Sequence, residues 1–98
     1  MTGYSISPEA REDLDELAGY IARDSLSAAE RVIDAIDEAF VALAARPGMG
    51  HRRGDLTRRA VRFWTVMGRY MIAYRKHCEG IEIVRVFGPG RDVAAELR

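Results

Sequence analysis

Residues 60–87 carry three runs of alternating apolar side chains separated by short turns, and this spacing constrains the fold more than any other feature of the chain. A period of two marks β-strands, and turns this short permit only antiparallel pairing between successive strands. The first run is Ala60 to Val66, with Val61 and Phe63 on one face and Arg62 and Trp64 on the other. Gly68 marks a turn, and Tyr70, Ile72 and Tyr74 alternate in the second run. The turn His77-Cys78-Glu79-Gly80 leads to Ile81–Phe87, where Ile81 and Ile83 are read as facing opposite to Val84 and Val86. Gly88-Pro89-Gly90 breaks the sheet, and Arg91 to Leu97 reads as a short C-terminal helix.

The residues before this meander have a different period. Tyr4 and Ile6 alternate with small polar residues in a short opening strand. Ser7 is a good N-cap, Pro8 suits the first helical position, and Glu9 favours the positive end of the helix dipole. Ala10, Leu14, Leu17 and Ile21 then share one helical face, to about Arg23. Ser27-Ala28-Ala29-Glu30 fits a capping box and predicts the second helix start. Its stripe is Ala29, Val32, Ile33, Ile36, Ala39, Phe40 and Leu43, ended by Arg46-Pro47-Gly48. Some three residues between two such helices predict an antiparallel helical hairpin. Residues 47–59 read as a structured loop. The expected class is α+β in one domain spanning 1–98: an N-terminal strand, a helical hairpin, a three-stranded antiparallel meander and a short C-terminal helix. The helices cover one sheet face, and the other is expected to be only partly covered.

Charge divides the chain. The 98 residues sum to a net charge of zero. Yet Glu9–Glu38 holds ten acidic and three basic residues, a local charge of −7, whereas Arg46–Arg98 holds twelve basic and five acidic, a local charge of +7. Such a split predicts an oriented surface with a charged partner. All basic residues but Lys76 are Arg, the residue that grips carboxylates and phosphates bidentately. The hairpin's outward face is expected to carry Asp13, Glu16, Asp24, Asp34, Asp37 and Glu38. No apolar run reaches the ~20 residues of a bilayer span, so no membrane partner is expected. The opening residues lack a secretory pattern, and one cysteine, Cys78, suits a reducing cytosol. A cytoplasmic location is therefore expected.

Several pieces then combine into a family resemblance over roughly residues 4 to 97. They are the opening strand into Ser7-Pro8-Glu9-Ala10 with Asp13-Leu14, and the helix ending in Leu43 and Pro47 with Gly50 and Arg53 beyond it. After them come Arg69-Tyr70-Met71-Ile72-Ala73-Tyr74-Arg75 and Ile81-Glu82-Ile83-Val84-Arg85-Val86, closed by Gly90-Arg91-Asp92. In this order the chain resembles the RelE/ParE toxins, and its Tyr-x-Ile-x-Tyr-Arg and Ile-x-Ile-Val-Arg-Val strands look most like ParE. The resemblance implies the toxin half of a type II toxin–antitoxin module. The implied partners are a ParD-like antitoxin encoded beside it, in a toxin–antitoxin hetero-oligomer, and DNA gyrase as the target. RelE-like relatives instead cleave messenger RNA on the ribosome.

Cleavage through a 2′-hydroxyl needs a general base, a general acid and cations that stabilise the phosphorane. Arg59, Arg62 and Arg91 are the candidate cations for a RelE-like site. Where the resemblance would place a C-terminal Tyr stands Leu97, and Arg, with a pKa above 12, is a poor proton shuttle. His51 lies in the loop and His77 in a turn away from the Arg cluster. The expectation is therefore a protein that acts by binding, without catalytic residues, with mRNA cleavage as the alternative. A third reading is a toxin that has lost its poison and serves only as co-repressor. No cofactor is implied, and one Cys with two scattered His has no metal-ligand spacing. The candidate partner-binding residues are Arg53, Arg58, Arg59, Arg62, Trp64 and Arg91. Arg91 is the foremost of them, and Trp64 reads equally as interface anchor or buried sheet residue. The five Arg between His51 and Arg62 are too crowded for all to find partners within the chain. Arg85 is expected to pair with Glu82 or Asp92.

Overall fold

In the computed structural model, which describes residues 3–97, the elements run β1 (Tyr4–Ile6), α1 (Pro8–Ala22), α2 (Leu26–Ala45), β2 (His51–Arg52), β3 (Arg62–Val66), β4 (Tyr70–His77), β5 (Gly80–Phe87) and α3 (Val93–Glu96). The expected α+β class and element types hold. One sheet of order β1-β5-β4-β3-β2 forms, antiparallel except where β1 lies parallel to β5. The loop over 47–59 is structured, as expected, with a 3-10 turn at Pro47–Met49 and β2 paired to β3.

Ser7 sets the first corner. Its hydroxyl donates to the Val84 carbonyl (2.8 Å) and accepts from the Ala10 N–H (3.0 Å), so one side chain ends β1 and caps α1. The second helix differs from its expected start. Ser25, not Ser27, is the N-cap, with its hydroxyl accepting from the Ala28 N–H at 3.1 Å. The extended backbone of Ser25 lets α2 begin two residues earlier. Glu30 then stands outside the first turn, so no capping box forms.

The helical hairpin packs one sheet face. Leu14, Val32, Ile36, Phe40 and Leu43 meet Val66, Tyr70, Ile72, Tyr74, Ile81 and Ile83 in the main core. Val86 belongs to this core too, which corrects the expected opposition of Ile83 and Val86. The cause is a bulge: Ala73 pairs with Arg85 and Tyr74 with Ile83, leaving Val84 unmatched. One extra residue shifts the pleat by one step, so every side chain beyond it changes face.

The second face is also covered by the chain itself. Val61, Phe63, Ala73, Val84, Phe87 and Leu97 form a smaller core, with Leu56, Met71 and Val93 packed against it. The chain after β2 and the C-terminal segment supply this lid, more than the partial cover expected. Among the described residues no helix is long and apolar enough to cross a membrane.

Candidate partner-binding site

β5 outruns its neighbour. β1 pairs only as far as Ile83, and Ser7 then turns away, which leaves the backbone edge beyond it without a strand. Asp13 of α1 fills that position. Its carboxylate accepts from the Val86 N–H at 2.9 Å and from Arg85 Nε and Nη2 at 2.7 and 2.9 Å. Asp13 is therefore buried at 7% exposure, which corrects its expected place on the outward face of the hairpin. Arg85 also reaches Glu96 at 2.9 Å, and Glu96 in turn pairs with Arg91. Arg85 thus pairs with neither expected partner: Glu82 is taken by Arg75 at 2.8 Å, and Asp92 caps α3 through the Ala95 N–H. The Arg85 guanidinium is held well above the ordinary arginine pKa, first by its hydrogen bonds to Asp13. This chain of four charges, Asp13–Arg85–Glu96–Arg91, ties α1, β5 and α3 together.

At the end of the sheet where β3 begins and β4 ends, the register brings cations together. Arg62 pairs with Tyr74 across β3–β4, and Arg52 with Arg62 across β2–β3. The result is a groove of about 640 Å³ lined by Arg52, Arg59, Arg62, Arg75 and Lys76, with Pro47, Ala60, Val61 and Tyr74. None of its lining residues is a carboxylate. Arg62 is fixed by donating to the Gly50 carbonyl at 2.9 Å. Arg75 keeps its ion pair with Glu82. Arg52, Arg59 and Lys76 make no ion pair among the described residues.

Tyr74 is the floor of this groove, at 1% exposure. Its hydroxyl donates to the Pro47 carbonyl (2.7 Å) and accepts from the Gly50 N–H (2.8 Å), pinning the 3-10 turn to the sheet. Gly50 is required there, since a Cβ would strike the Tyr74 ring and lie 2.8 Å from the Phe63 carbonyl oxygen. Burial raises the Tyr74 pKa. A Tyr74→Phe chain leaves the buried Gly50 N–H unpaired and loses about 1–3 kcal/mol in denaturant unfolding. A pKa raised in the folded state favours folding below the ordinary tyrosine value, about 10, and that contribution fades as the pH climbs through the folded value. Wild-type stability therefore carries a loss above about pH 10 that the Tyr74→Phe chain lacks; identical profiles of the two chains over that range contradict it.

A cleft of about 290 Å³ beside the groove sets Arg59 and Arg85 near Glu9, Glu82 and Glu96, and two others lie along α1. Leu17, Tyr20 and Pro89 line two neighbouring clefts. One, of about 290 Å³, continues to Asp13 and Arg91; the other, of about 530 Å³, continues to Ile21, Arg31, Met67, Arg69 and Tyr70. Tyr20 (70% exposed) and Met67 (58%) present apolar surface there. Met67 holds this position with a left-handed φ of 56°, which a non-glycine residue adopts only at a conformational cost.

The structure brings together two of the six sequence-derived residues, Arg59 and Arg62. Arg53 is bound to Asp55 at 2.8 Å on the exposed loop, and its hydrogen bond holds the Asp55 carboxyl below the usual carboxylate range. Arg58 is exposed and Trp64 is half-buried against the main core. Arg91 lines the cleft beside α1 and not the groove, while its partner Glu96 lines a third cleft together with Arg59. Sequence reasoning counted Arg52 only within the Arg-rich segment 51–62 and missed Arg75 and Lys76, whose signal was their register beside Arg62 once the β3–β4 turn is fixed. Leu97 is buried at 1% in the second core. His51 and His77 are exposed and line neither the groove nor the clefts beside α1. Among the described residues no group of three or more His, Cys, Asp or Glu is placed to hold a metal ion.

Residues 4–93 match the family described as "ParE toxin of type II toxin-antitoxin system, parDE". No curated protein sequence matches. Among solved structures the fold is similar to a chain of the "Chromosomal ParDE TA system from P. aeruginosa", with a TM-score of 0.71 and 21% identity over 91% of this chain and 97% of that one.

Proposed function

The chain belongs to the ParE toxin family of type II toxin–antitoxin systems, and from that premise we propose that it acts by binding DNA gyrase and stalling it with cleaved DNA. The observation that carries a binding role is the cationic groove. It concentrates positive charge, yet its one phenol, Tyr74, is buried with its hydroxyl already bonded on both sides. Four of its five cations are Arg, a residue type poorly suited to shuttling protons. Arg59 and Arg62 are the principal docking residues, joined by Arg52, Arg75 and Lys76. Arg53, Arg58 and Trp64 contribute less, because an ion pair, an outlying position and core packing respectively hold them away from the groove.

A ParD-like antitoxin is the second partner, a reading supported by the similar P. aeruginosa chain, which belongs to a ParDE system. Since the present chain covers its own second sheet face, the clefts along α1 are the antitoxin's seat in this reading. Tyr20 and Met67 supply apolar anchors there and Arg91 a charged one, the mixture that interfaces favour. The module then assembles as a toxin–antitoxin hetero-oligomer in the cytoplasm.

The alternative is a RelE-like ribonuclease using Arg59, Arg62 and Arg91. It is disfavoured because Arg91 lines a different cleft and Leu97 is packed in the core. Mapping transcript ends after induction of the chain tests the choice. The expected outcome is growth arrest without new codon-phased cleavages; such cleavages, lost in Arg91→Ala, overturn the binding reading.

A further inference from the structure

We propose that the groove formed by Arg52, Arg59, Arg62, Arg75 and Lys76 binds the phosphodiester backbone of duplex DNA without regard to base sequence. This deepens the docking role given above to the same residues and rests on it for its setting, the DNA that a stalled gyrase holds.

Three observations separate this ligand from the other polyanions. The first is charge. Five cations line one concavity of about 640 Å³ with no carboxylate among the lining residues; Arg52, Arg59 and Lys76 make no ion pair among the described residues, although Arg59 also borders the adjoining cleft of Glu9, Glu82 and Glu96. A concave surface of one sign focuses its field and draws in a polyanion. The second is the absence of an apolar anchor. Docked peptides fix themselves by aromatic or aliphatic side chains in pockets. Here the only aromatic ring is that of Tyr74, at 1% exposure with its hydroxyl occupied. Among the described residues the exposed large apolar ones are Tyr4, Tyr20, Leu26, Val41 and Met67, none of which lines the groove. The same lack argues against single strands, whose bases need exposed aromatic rings to stack on. Pro47, Ala60 and the buried Val61 give the groove apolar walls but no large exposed side chain to anchor a peptide, so its recognition is led by charge, which duplex DNA supplies with one phosphate per ~1.7 Å of its axis.

The third observation is that base readout has little to work with. The chain contains no Asn and no Gln, the residues that read adenine bidentately in the major groove. Of the four Arg, Arg62 is tied to the Gly50 carbonyl and Arg75 to Glu82, so neither is free to reach into a base edge. The acidic half also helps. Glu12, Asp15, Glu16, Asp34, Asp37 and Glu38 are exposed on the helical hairpin. They repel a polyanion and leave the basic end of the sheet as the face it meets.

The test is fluorescence anisotropy of the purified full-length chain with short labelled duplexes of two unrelated sequences, across a salt series, against the matching single strand and polyglutamate. Equal affinity for both duplexes is expected, about 10⁻⁴–10⁻⁶ M at physiological salt. Three to four neutralised phosphates give a log–log salt slope of about −3 to −4. Arg52→Ala, Arg59→Ala and Lys76→Ala each flatten the slope by about 1, and Arg11→Ala on α1 leaves it unchanged. These side chains are exposed, and circular dichroism confirms that each variant folds. No duplex binding at low salt, binding unaffected by the three groove replacements, or tighter binding of polyglutamate or of the single strand overturns the proposal. Gyrase is absent from the assay, so DNA binding without gyrase inhibition, or the reverse, tells apart the failure of each reading.

Discussion

Asp13→Ala lowers the melting temperature by about 12–24 °C. Asp13 makes three hydrogen bonds at once: two from Arg85 and one from the Val86 N–H beyond the end of β1. Deleting the carboxylate leaves a largely buried guanidinium with only Glu96, and a buried N–H with no partner. Breaking a buried ion pair from one side costs about 3–5 kcal/mol. The retained Glu96 contact argues for the lower figure, about 3 kcal/mol. Each kcal/mol moves the midpoint of a chain this size by about 4–8 °C, which gives the range stated. Because the residue joins α1 to β5, the loss also frees the hairpin from the sheet edge. A shift under about 4 °C, less than 1 kcal/mol, contradicts the bridging role assigned to Asp13.

Leu97→Ala is the second large effect. Leu97 is 1% exposed and packs with Phe63, Phe87 and Val61 on the sheet face away from the helical hairpin. Its carbonyl receives a long hydrogen bond from the Thr57 hydroxyl (3.4 Å), so the C-terminal segment and the loop after β2 meet at this residue. Truncating a buried Leu costs about 2–5 kcal/mol. The urea midpoint falls accordingly with the slope m unchanged, since the surface exposed on unfolding is nearly the same. A change within about 0.5 kcal/mol, the range of a surface site, contradicts the packing role. The position matters for function as well. A ribonuclease reading expects a phenol at this position, and a packing residue stands there instead.

Much of the architecture is legible in the residues. The Ser7-Pro8-Glu9 start, the two apolar stripes and the three alternating strands each appear where their periods place them. What stays hidden are features decided by neighbours distant in sequence. A three-residue strand such as β1 does not say which edge it joins. β2 is two residues, His51 and Arg52, inside a stretch rich in Arg and Gly, and only pairing with β3 makes it a strand. Val86 is misplaced because a bulge at Val84 leaves no mark on an already apolar run. Asp13 looks like a solvated helix residue since nothing local announces the bare strand edge it fills.

The site divides in the same way. The cluster of Arg between 51 and 62 is visible as charge, and Arg59 and Arg62 do converge. Arg75 and Lys76 become their neighbours only through the β3–β4 register. Arg91 looks contiguous with the Arg cluster in composition but pairs with Glu96 of α3 and lines the cleft beside α1.

Inhibition of gyrase by binding is measured most directly in a supercoiling assay with purified gyrase, relaxed plasmid and the purified chain. Loss of supercoiling is expected, with accumulation of linear, protein-linked DNA. Both effects weaken in the Arg59→Ala/Lys76→Ala double variant and vanish when the antitoxin is added. Full supercoiling at concentrations of the chain that match those arresting growth, with no cleaved plasmid, contradicts inhibition of gyrase.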